Sequence, residues 1–285
     1  MDLIVIPSMG RAKRQQTLAT FARTNILDIY NVVVAVPDEE VDSYTTPSYK
    51  GKRIRGNFKI AAVPNEFAGI TLTRKYILTT LARAHKARYV FMIDDDLSIC
   101  HRPRINKPDM PYINNDSYQL VRMIETLTHW LQNGFIHVGL ISRQANRKTG
   151  IAWQQPGRIM NAYAYDSLAI RNLRRDKQIA FNRVPVMEDF DLTLQLLKLG
   201  YPNRVSCRYA WTQTSNSDGG CSSYRSAEVQ AAAARKMVRL HAPFVTLVEK
   251  KVAKTWQNKL VVRTDVRVAW KKALAYGMEH QYETA

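Results

Sequence analysis

Cysteine is nearly absent from this 285-residue chain. Cys100, Cys207 and Cys221 are odd in number, far apart and without a Cys-x-x-Cys pair. That argues against a disulfide framework or a cysteine zinc site and fits a reducing cytoplasm. No run of 18 or more apolar residues occurs, so no membrane span is expected. The opening Met1-Asp2-Leu3-Ile4-Val5-Ile6-Pro7 is apolar too briefly for a signal peptide, with an acid where such a peptide needs base. Acidic residues are scarce as well: 24 Asp and Glu stand against 42 Lys and Arg, a formal charge of +18. An excess of that size favours a polyanionic partner, most simply nucleic acid.

The apolar share, 46%, is ordinary for a globular protein, and the length suits one large domain or two closely joined ones. The chain is organised around Tyr89-Val90-Phe91-Met92-Ile93-Asp94-Asp95-Asp96. Its apolar run reads as a strand buried on both faces. Adjacent ionised carboxylates repel and are costly to desolvate, so three of them at a strand end call for a counter-ion. A hard divalent cation, Mg²⁺ or Mn²⁺, shared with a phosphate meets that need; a solvated acidic turn is the plainer reading. On an extended chain Asp95 points away from Asp94 and Asp96, so its loss is expected to do least damage.

Before the aspartates the chain alternates strand and helix. Leu3–Ile6 is a strand stopped at Pro7, with Arg11, Lys13 and Arg14 just beyond it. In open α/β sheets ligands sit outside the carboxyl ends of strands, which suits a nucleotide diphosphate there, or else a plain charged surface. A helix over Gln15–Thr24, a strand over Tyr30–Val36, a polar loop over 42–57 and a strand over Phe58–Val63 follow. A helix from Leu72 then leads into the central strand. Beyond it, Cys100–Met110 reads as a basic loop with Arg102 and Arg104. Asp116 caps a helix ended by Asn133-Gly134, and Phe135–Ser142 is a strand followed by Arg143 and Arg147. Arg158–Ile170 reads as a strand with a turn at Asp166, and Tyr209–Arg225 as a long polar loop.

A second acidic cluster, Glu188-Asp189-Phe190-Asp191, opens a helix apolar nearly all round and ended by Gly200. Helix-start acids are commonly capping and dipole residues, but capping needs one acid where three are present. Residues three apart share a helix face, which pairs Glu188 with Asp191 and turns Asp189 away. His241, before Pro243, reads as a metal ligand or a structural histidine. The segment 235–285 holds 11 Lys or Arg against 4 acids. It interleaves Trp256 and Trp270 with Lys250, Lys254, Arg263, Arg267 and Lys271, a mixture suited to phosphate tracking or to the solvated face of a packed amphipathic helix.

This order of parts resembles a GT-A glycosyltransferase, with Asp94-Asp95-Asp96 in the place of the Asp-x-Asp motif and Glu188-Asp189 in that of the Glu-Asp motif. Within that fold the chain is most similar to the phage TET-associated, DNA-modifying glycosyltransferases. Ile6-Pro7-Ser8…Arg11, Gly139-Leu140-Ile141-Ser142-Arg143 and Gly219-Gly220-Cys221-Ser222-Ser223-Tyr224-Arg225 carry that similarity beside the two acidic clusters. The resemblance implies an α/β fold with a mixed, mainly parallel sheet flanked by helices over residues 1–245. Residues 1–96 would bind the nucleotide sugar and 97–245 the acceptor, with a basic helical tail over 246–285.

It further implies a metal-dependent transfer from a UDP-sugar, UDP-glucose or UDP-N-acetylglucosamine, to a hydroxymethylated pyrimidine, 5-hydroxymethylcytosine, in double-stranded DNA. The setting implied is the cytoplasm of a phage-infected bacterium. Pro7, Ser8, Arg11, Arg74, Asp94, Asp95 and Arg225 would bind the donor; Asp96, Asp94 and His241 the metal. Asp189 would be the base and Glu188 a stabiliser of positive charge at the transition state. Arg102, Arg104, Arg143, Arg147, Lys250, Lys254, Arg263, Arg267 and Lys271 would contact nucleic acid. Three rival readings are a GT-A enzyme acting on a polysaccharide or lipid-linked acceptor, a sugar-phosphate nucleotidyltransferase, and a non-catalytic DNA-binding protein. The second calls for a Gly-rich nucleotide loop after the first strand, which Pro7-Ser8-Met9-Gly10-Arg11 matches poorly, and the third leaves both acidic clusters unexplained.

Overall fold

The computed structural model describes residues 2–107, 110–145, 150–213, 220, 226–254 and 259–280, with backbone alone at 251–254 and 259–261. The first half builds the parallel part of one large sheet. Its strands are β1 (Asp2–Pro7), β2 (Asn31–Pro37), β5 (Phe58–Val63) and β6 (Tyr89–Ile93), and the spatial order is β5-β2-β1-β6. A small hairpin, β3 (Ser48–Tyr49) and β4 (Lys52–Arg53), lies in the 42–57 loop. β1, β2 and β6 are apolar and buried along their length because helices cover both faces.

Alternate side chains on these strands divide the core. Ile4, Ile6, Val32, Val34, Phe91 and Ile93 pack under α1 (Gln16–Arg23), α2 (Ile26–Ile29) and the later α5 (Ser117–Gln132). Leu3, Val5, Val33, Ala35, Val90 and Met92 face the opposite layer. That layer begins with α3 (Ile70–Tyr76), which passes through a π-helical turn (Ile77–Leu81) into α4 (Ala82–Ala84). It is completed by α6 (Ser167–Arg175) and α7 (Glu188–Lys198).

The second half extends the sheet with mixed pairing. It adds β7 (Leu97–His101), β8 (Ile113–Asn114), β9 (His137–Ser142), β10 (Trp153–Gln154), β11 (Ala162–Asp166) and β12 (Arg204–Gln213) in the order β11-β9-β12-β7-β8, β10 pairing with β12. Three expectations are corrected here. The loop expected over Cys100–Met110 begins only at Arg102, because Cys100 and His101 close β7, whose Leu97 and Ile99 enter the core. Asp166 marks a strand-to-helix junction, its carboxylate accepting from the amides of Leu168 and Ala169 to cap α6. Of the polar loop expected over Tyr209–Arg225, residues 209–213 are the end of β12, while 214–219 and 221–225 lie outside the described residues.

The carboxyl-terminal part differs most. After α8 (Ala227–His241) come β13 (Val245–Lys254) and β14 (Lys259–Val268), a two-stranded antiparallel ribbon, and then α9 (Trp270–His280). The basic tail is therefore ribbon and helix rather than helix alone, as the β-branched residues of 245–252 and 261–268 favour. Val245, Phe244 and Val266 at the ribbon's base share a core with Leu194 and Leu197 of α7, Met237 of α8 and Ala273 of α9. No helix among the described residues is long and apolar enough to cross a membrane.

Candidate active site

A cleft of about 640 Å³ opens where β1, β2, β5 and β6 present their carboxyl ends. Pro7, Ser8 and Arg11 after β1 and Asp94-Asp95-Asp96 after β6 line it on the sheet side. Gly69 to Arg74 at the start of α3 and Val186 to Phe190 at the start of α7 line it opposite. Two non-glycine residues in the left-handed region, Asn161 (φ 64°) and Met187 (φ 68°), both border the cleft. Such conformations cost roughly 1–3 kcal/mol and persist where the surroundings over-determine them. At Met187 the conformation turns the chain so that α7 begins at the cleft wall.

The two acidic clusters meet across this cleft through Arg74. Its Nη2 donates to Asp94 Oδ1 at 3.2 Å and its Nη1 to Glu188 Oε1, while the guanidinium lies 5.2 Å from the Tyr163 ring centroid. On the sheet side Arg11 Nη1 donates to Asp95 Oδ1 at 2.8 Å and Asp96 Oδ2 at 2.9 Å. Ser8 Oγ donates to Asp95 Oδ2, and Tyr44 Oη accepts from the Arg11 amide at 3.0 Å. Gln213 Nε2, at the end of β12, donates to Asp96 Oδ2 at 2.8 Å. The Thr17 hydroxyl and amide hold the carbonyls of Asp94 and Asp95.

The charge balance is unusual. Burial, reinforced by Asp96, Asp95 and Glu188 against the opposing pull of Arg74, pushes Asp94 up to about 7. Burial also raises Asp95, despite Arg11 and Ser8. Burial alone would lower Arg11 and Arg74, but Asp95 and Asp96 hold Arg11, and Tyr163 followed by Glu188 and Asp94 hold Arg74, above the ordinary guanidinium value. Asp94, Asp95, Asp96, Glu188 and Asp189 thus gather more negative charge than Arg11 and Arg74 neutralise, and a further cation would relieve it. The donors are all carboxylate oxygens, which suits Mg²⁺ or Mn²⁺ and not zinc. Among the described residues no three His, Cys, Asp or Glu side chains converge as a ready-made cage. Asp94, with 23% of its side chain exposed against 5% for Asp96, is the more open of the two.

Other sequence expectations divide sharply. Asp95 does not turn away harmlessly. It is 2% exposed and anchors Ser8 and Arg11, because the chain leaves the extended conformation at Asp94 and turns. Glu188 and Asp189, rather than Glu188 and Asp191, line the cleft together. Asp191 is buried and receives His241 Nε2 at 2.7 Å, Arg183 at 3.1 Å and Gln195 at 3.1 Å. The structure therefore ties His241 beneath α7 to Asp191 instead of bringing it to the aspartates, which removes its case as a metal ligand. Arg102 is 2% exposed and packs its guanidinium over Tyr112, so it offers no nucleic-acid surface. Arg104, Arg143, Lys250, Arg263, Arg267 and Lys271 are exposed. Lys254 lies where backbone alone is described, and Arg147 and Arg225 lie outside the described residues.

The sequence reading missed Gln213, Thr17, Tyr44 and Asn161, whose polar side chains carry no local signal of a long-range partner. It also missed Arg158, which lines the cleft and stands 4.7 Å from the Phe190 ring. Arg263 and Asp265 of the ribbon line the same cleft, with Asp265 receiving Lys250 and Arg263 at 2.8 Å each.

Two solved structures and one family model are similar to the chain. The segment 1–349 of S. aureus TarS in complex with UDP-GlcNAc shares 12% identity, covering 83% of this chain and 66% of that one at a TM-score of 0.47. A197 from STIV shares 10% identity over 75% of this chain and 86% of that one, at a TM-score of 0.40. No curated protein matches the chain. A family model described as TET-Associated Glycosyltransferase matches residues 3–220, which takes in both acidic clusters. The chain belongs to the TET-associated glycosyltransferase family.

Proposed function

We propose that this glycosyltransferase moves a sugar from a UDP-sugar, UDP-glucose or UDP-N-acetylglucosamine, to the 5-hydroxymethyl group of a modified pyrimidine, 5-hydroxymethylcytosine, in double-stranded DNA. The observation that carries the reading is the pair of carboxylate clusters facing each other across one cleft and joined through Arg74. The formal charge of +18 supports a polyanionic acceptor. Asp94 and Asp96 would hold a divalent cation, whose charge would neutralise the diphosphate leaving group.

The chain's own residues divide the remaining work. Arg11, held by Asp95 and Asp96, keeps a fixed positive charge at the end of β1, where the diphosphate lies in this reading. Arg74 is oriented by Glu188, so Glu188 acts as a positioning residue. Asp189, half-buried at the start of α7, takes the proton as the acceptor hydroxyl oxygen bonds to the anomeric carbon. The bond from that carbon to the diphosphate oxygen breaks, and its electron pair leaves with the nucleoside diphosphate.

Label transfer from UDP-sugars in the presence of Mn²⁺ tests this on duplexes containing 5-hydroxymethylcytosine, 5-hydroxymethyluracil or only unmodified bases. Labelling confined to hydroxymethylated duplex is expected. Absent or equal labelling, with transfer to a polysaccharide or lipid-linked acceptor instead, overturns the DNA reading.

A further inference from the structure

The β13–β14 ribbon lies beyond the segment matched by the family model, yet Arg263 and Asp265 reach the cleft wall. Its register determines which residues share a face. Lys250 lies opposite Arg263, Lys254 opposite Lys259 and Thr246 opposite Arg267. Positions two apart on a strand, and pairs directly opposite, fall on the same side. Lys250, Lys254, Lys259, Arg263 and Arg267 therefore occupy one face of the ribbon, and Asp265 is the only acid at a register position of that face.

Like charges directly opposite each other destabilise a hairpin. Asp265 relieves the Lys250–Arg263 pair, but no acid stands at the register positions beside Lys254 and Lys259. Such a face serves a partner better than it serves the fold. The base of the ribbon is set in the core through Val245 and Val266. Farther out Leu247 and Val262, on the other face, are 46% and 54% exposed, so the ribbon leaves the body of the protein. Ten residues per strand span roughly 30 Å at about 3.3 Å each.

We propose that this ribbon is a DNA arm, its basic face following double-stranded DNA and its base holding the modified nucleotide at the mouth of the cleft. The major groove of B-DNA admits a two-stranded β-ribbon, and a substituent on C5 of a pyrimidine projects into that same groove. A ribbon rooted at the cleft wall therefore brings the groove that carries the hydroxymethyl group to the residues proposed to act on it. This inference rests on the DNA-acceptor reading above.

The test compares Lys250→Gln/Lys254→Gln/Arg267→Gln with Arg23→Gln/Arg83→Gln/Lys86→Asn. The second set removes equal charge from exposed positions at the other end of the sheet, at the end of α1 and before β6. KM for hydroxymethylated duplex is measured between 50 and 200 mM salt. Each lost phosphate contact lowers the slope of log affinity against log salt by about 0.9. The ribbon variant is expected to lose roughly 2–3 from that slope and to raise KM at least tenfold at low salt, while the control keeps the wild-type values. Lys254→Glu alone, near the end of the ribbon away from the core, moves KM in the same direction and covers the case of a poorly folded triple variant. If wild type glycosylates the duplex but ribbon and control variants share its KM and slope, the arm is overturned and the acceptor reading stands. If wild type modifies no hydroxymethylated duplex, the acceptor reading itself falls.

Discussion

Asp94 and Glu188 occupy the two ends of one guanidinium, that of Arg74, although they are 94 residues apart in the chain, one just after β6 and the other opening α7. Arg74 is 8% exposed, so neither carboxylate can be removed from it without leaving charge inside the protein. Breaking a buried pair by deleting one partner typically costs about 3–5 kcal/mol. Arg74→Met is expected to fall in that range by urea unfolding and to abolish transfer. Arg74→Met/Glu188→Gln recovers part of the stability and none of the activity. A double variant as unstable as the single one would show that the pair is not coupled.

Much of this frame was legible in the sequence because it rests on burial. β1, β2 and β6 are apolar runs with helices on both sides, so their boundaries followed to within a residue or two. Both acidic clusters stood out because adjacent carboxylates are rare in such places. Their geometry was less legible. The alternation rule failed at Asp95 because the strand ends at Ile93 and the aspartates form a turn. The i, i+3 rule failed at Asp189 because the cleft faces the start of α7, where consecutive residues of the first turn reach it. His241 and Asp191 meet over a separation of 50 residues, a pairing that no local pattern encodes.

Gly277 gives a prediction about how the carboxyl-terminal elements support the site. A Cβ at this position would lie 2.1 Å from the Leu197 carbonyl oxygen and 2.5 Å from the Gly200 amide nitrogen, backbone atoms at the end of α7. The same α9 sets Trp270 edge-on against Phe190, next to Asp189, at 5.4 Å between ring centroids. Gly277→Ala is expected to push α9 off α7 and to cost at least the roughly 1–3 kcal/mol typical of overpacking. Hydrogen exchange should show protection lost over 270–280 first. Unchanged exchange in α9 would mean the contact is dispensable.

His137 sets a pH dependence of stability. It is buried, stacked on Tyr165 with 4.2 Å between ring centroids, and burial pushes its pKa down to about 3. In the unfolded chain the ring takes a proton near 6.5. Between those values the unfolded state binds more protons, so this contribution is intact above pH 6.5 and is lost as pH falls toward 3. Down to pH 5 that amounts to about 2 kcal/mol at most, at roughly 1.4 kcal/mol per unit. His137→Phe keeps the stacking partner and removes the titration, so the difference in stability between variant and wild type should move in the variant's favour by up to about 2 kcal/mol as pH falls from 7 to 5, whatever the buried Asp94, whose raised pKa acts in the opposite sense, adds to both. Parallel curves for the two proteins would assign the acid sensitivity elsewhere.

Asp189 and Glu188 are neighbours with different tasks, and their amide variants separate them. Glu188 is spent on Arg74, whereas Asp189 Oδ1 accepts the Phe190 amide at 2.9 Å and its side chain still borders the cleft. A base positioned for one proton transfer contributes about 10²–10⁴-fold to turnover. Asp189→Asn preserves the amide contact and removes the proton acceptor, so kcat should fall by that factor while the donor KM stays within a few fold. Glu188→Gln instead weakens the orientation of Arg74, and its loss should appear in the donor KM as well as in kcat. The decisive measurement is the pair of parameters for each variant with hydroxymethylated duplex at saturation. A donor KM that rises for Asp189→Asn and holds for Glu188→Gln would exchange the two roles.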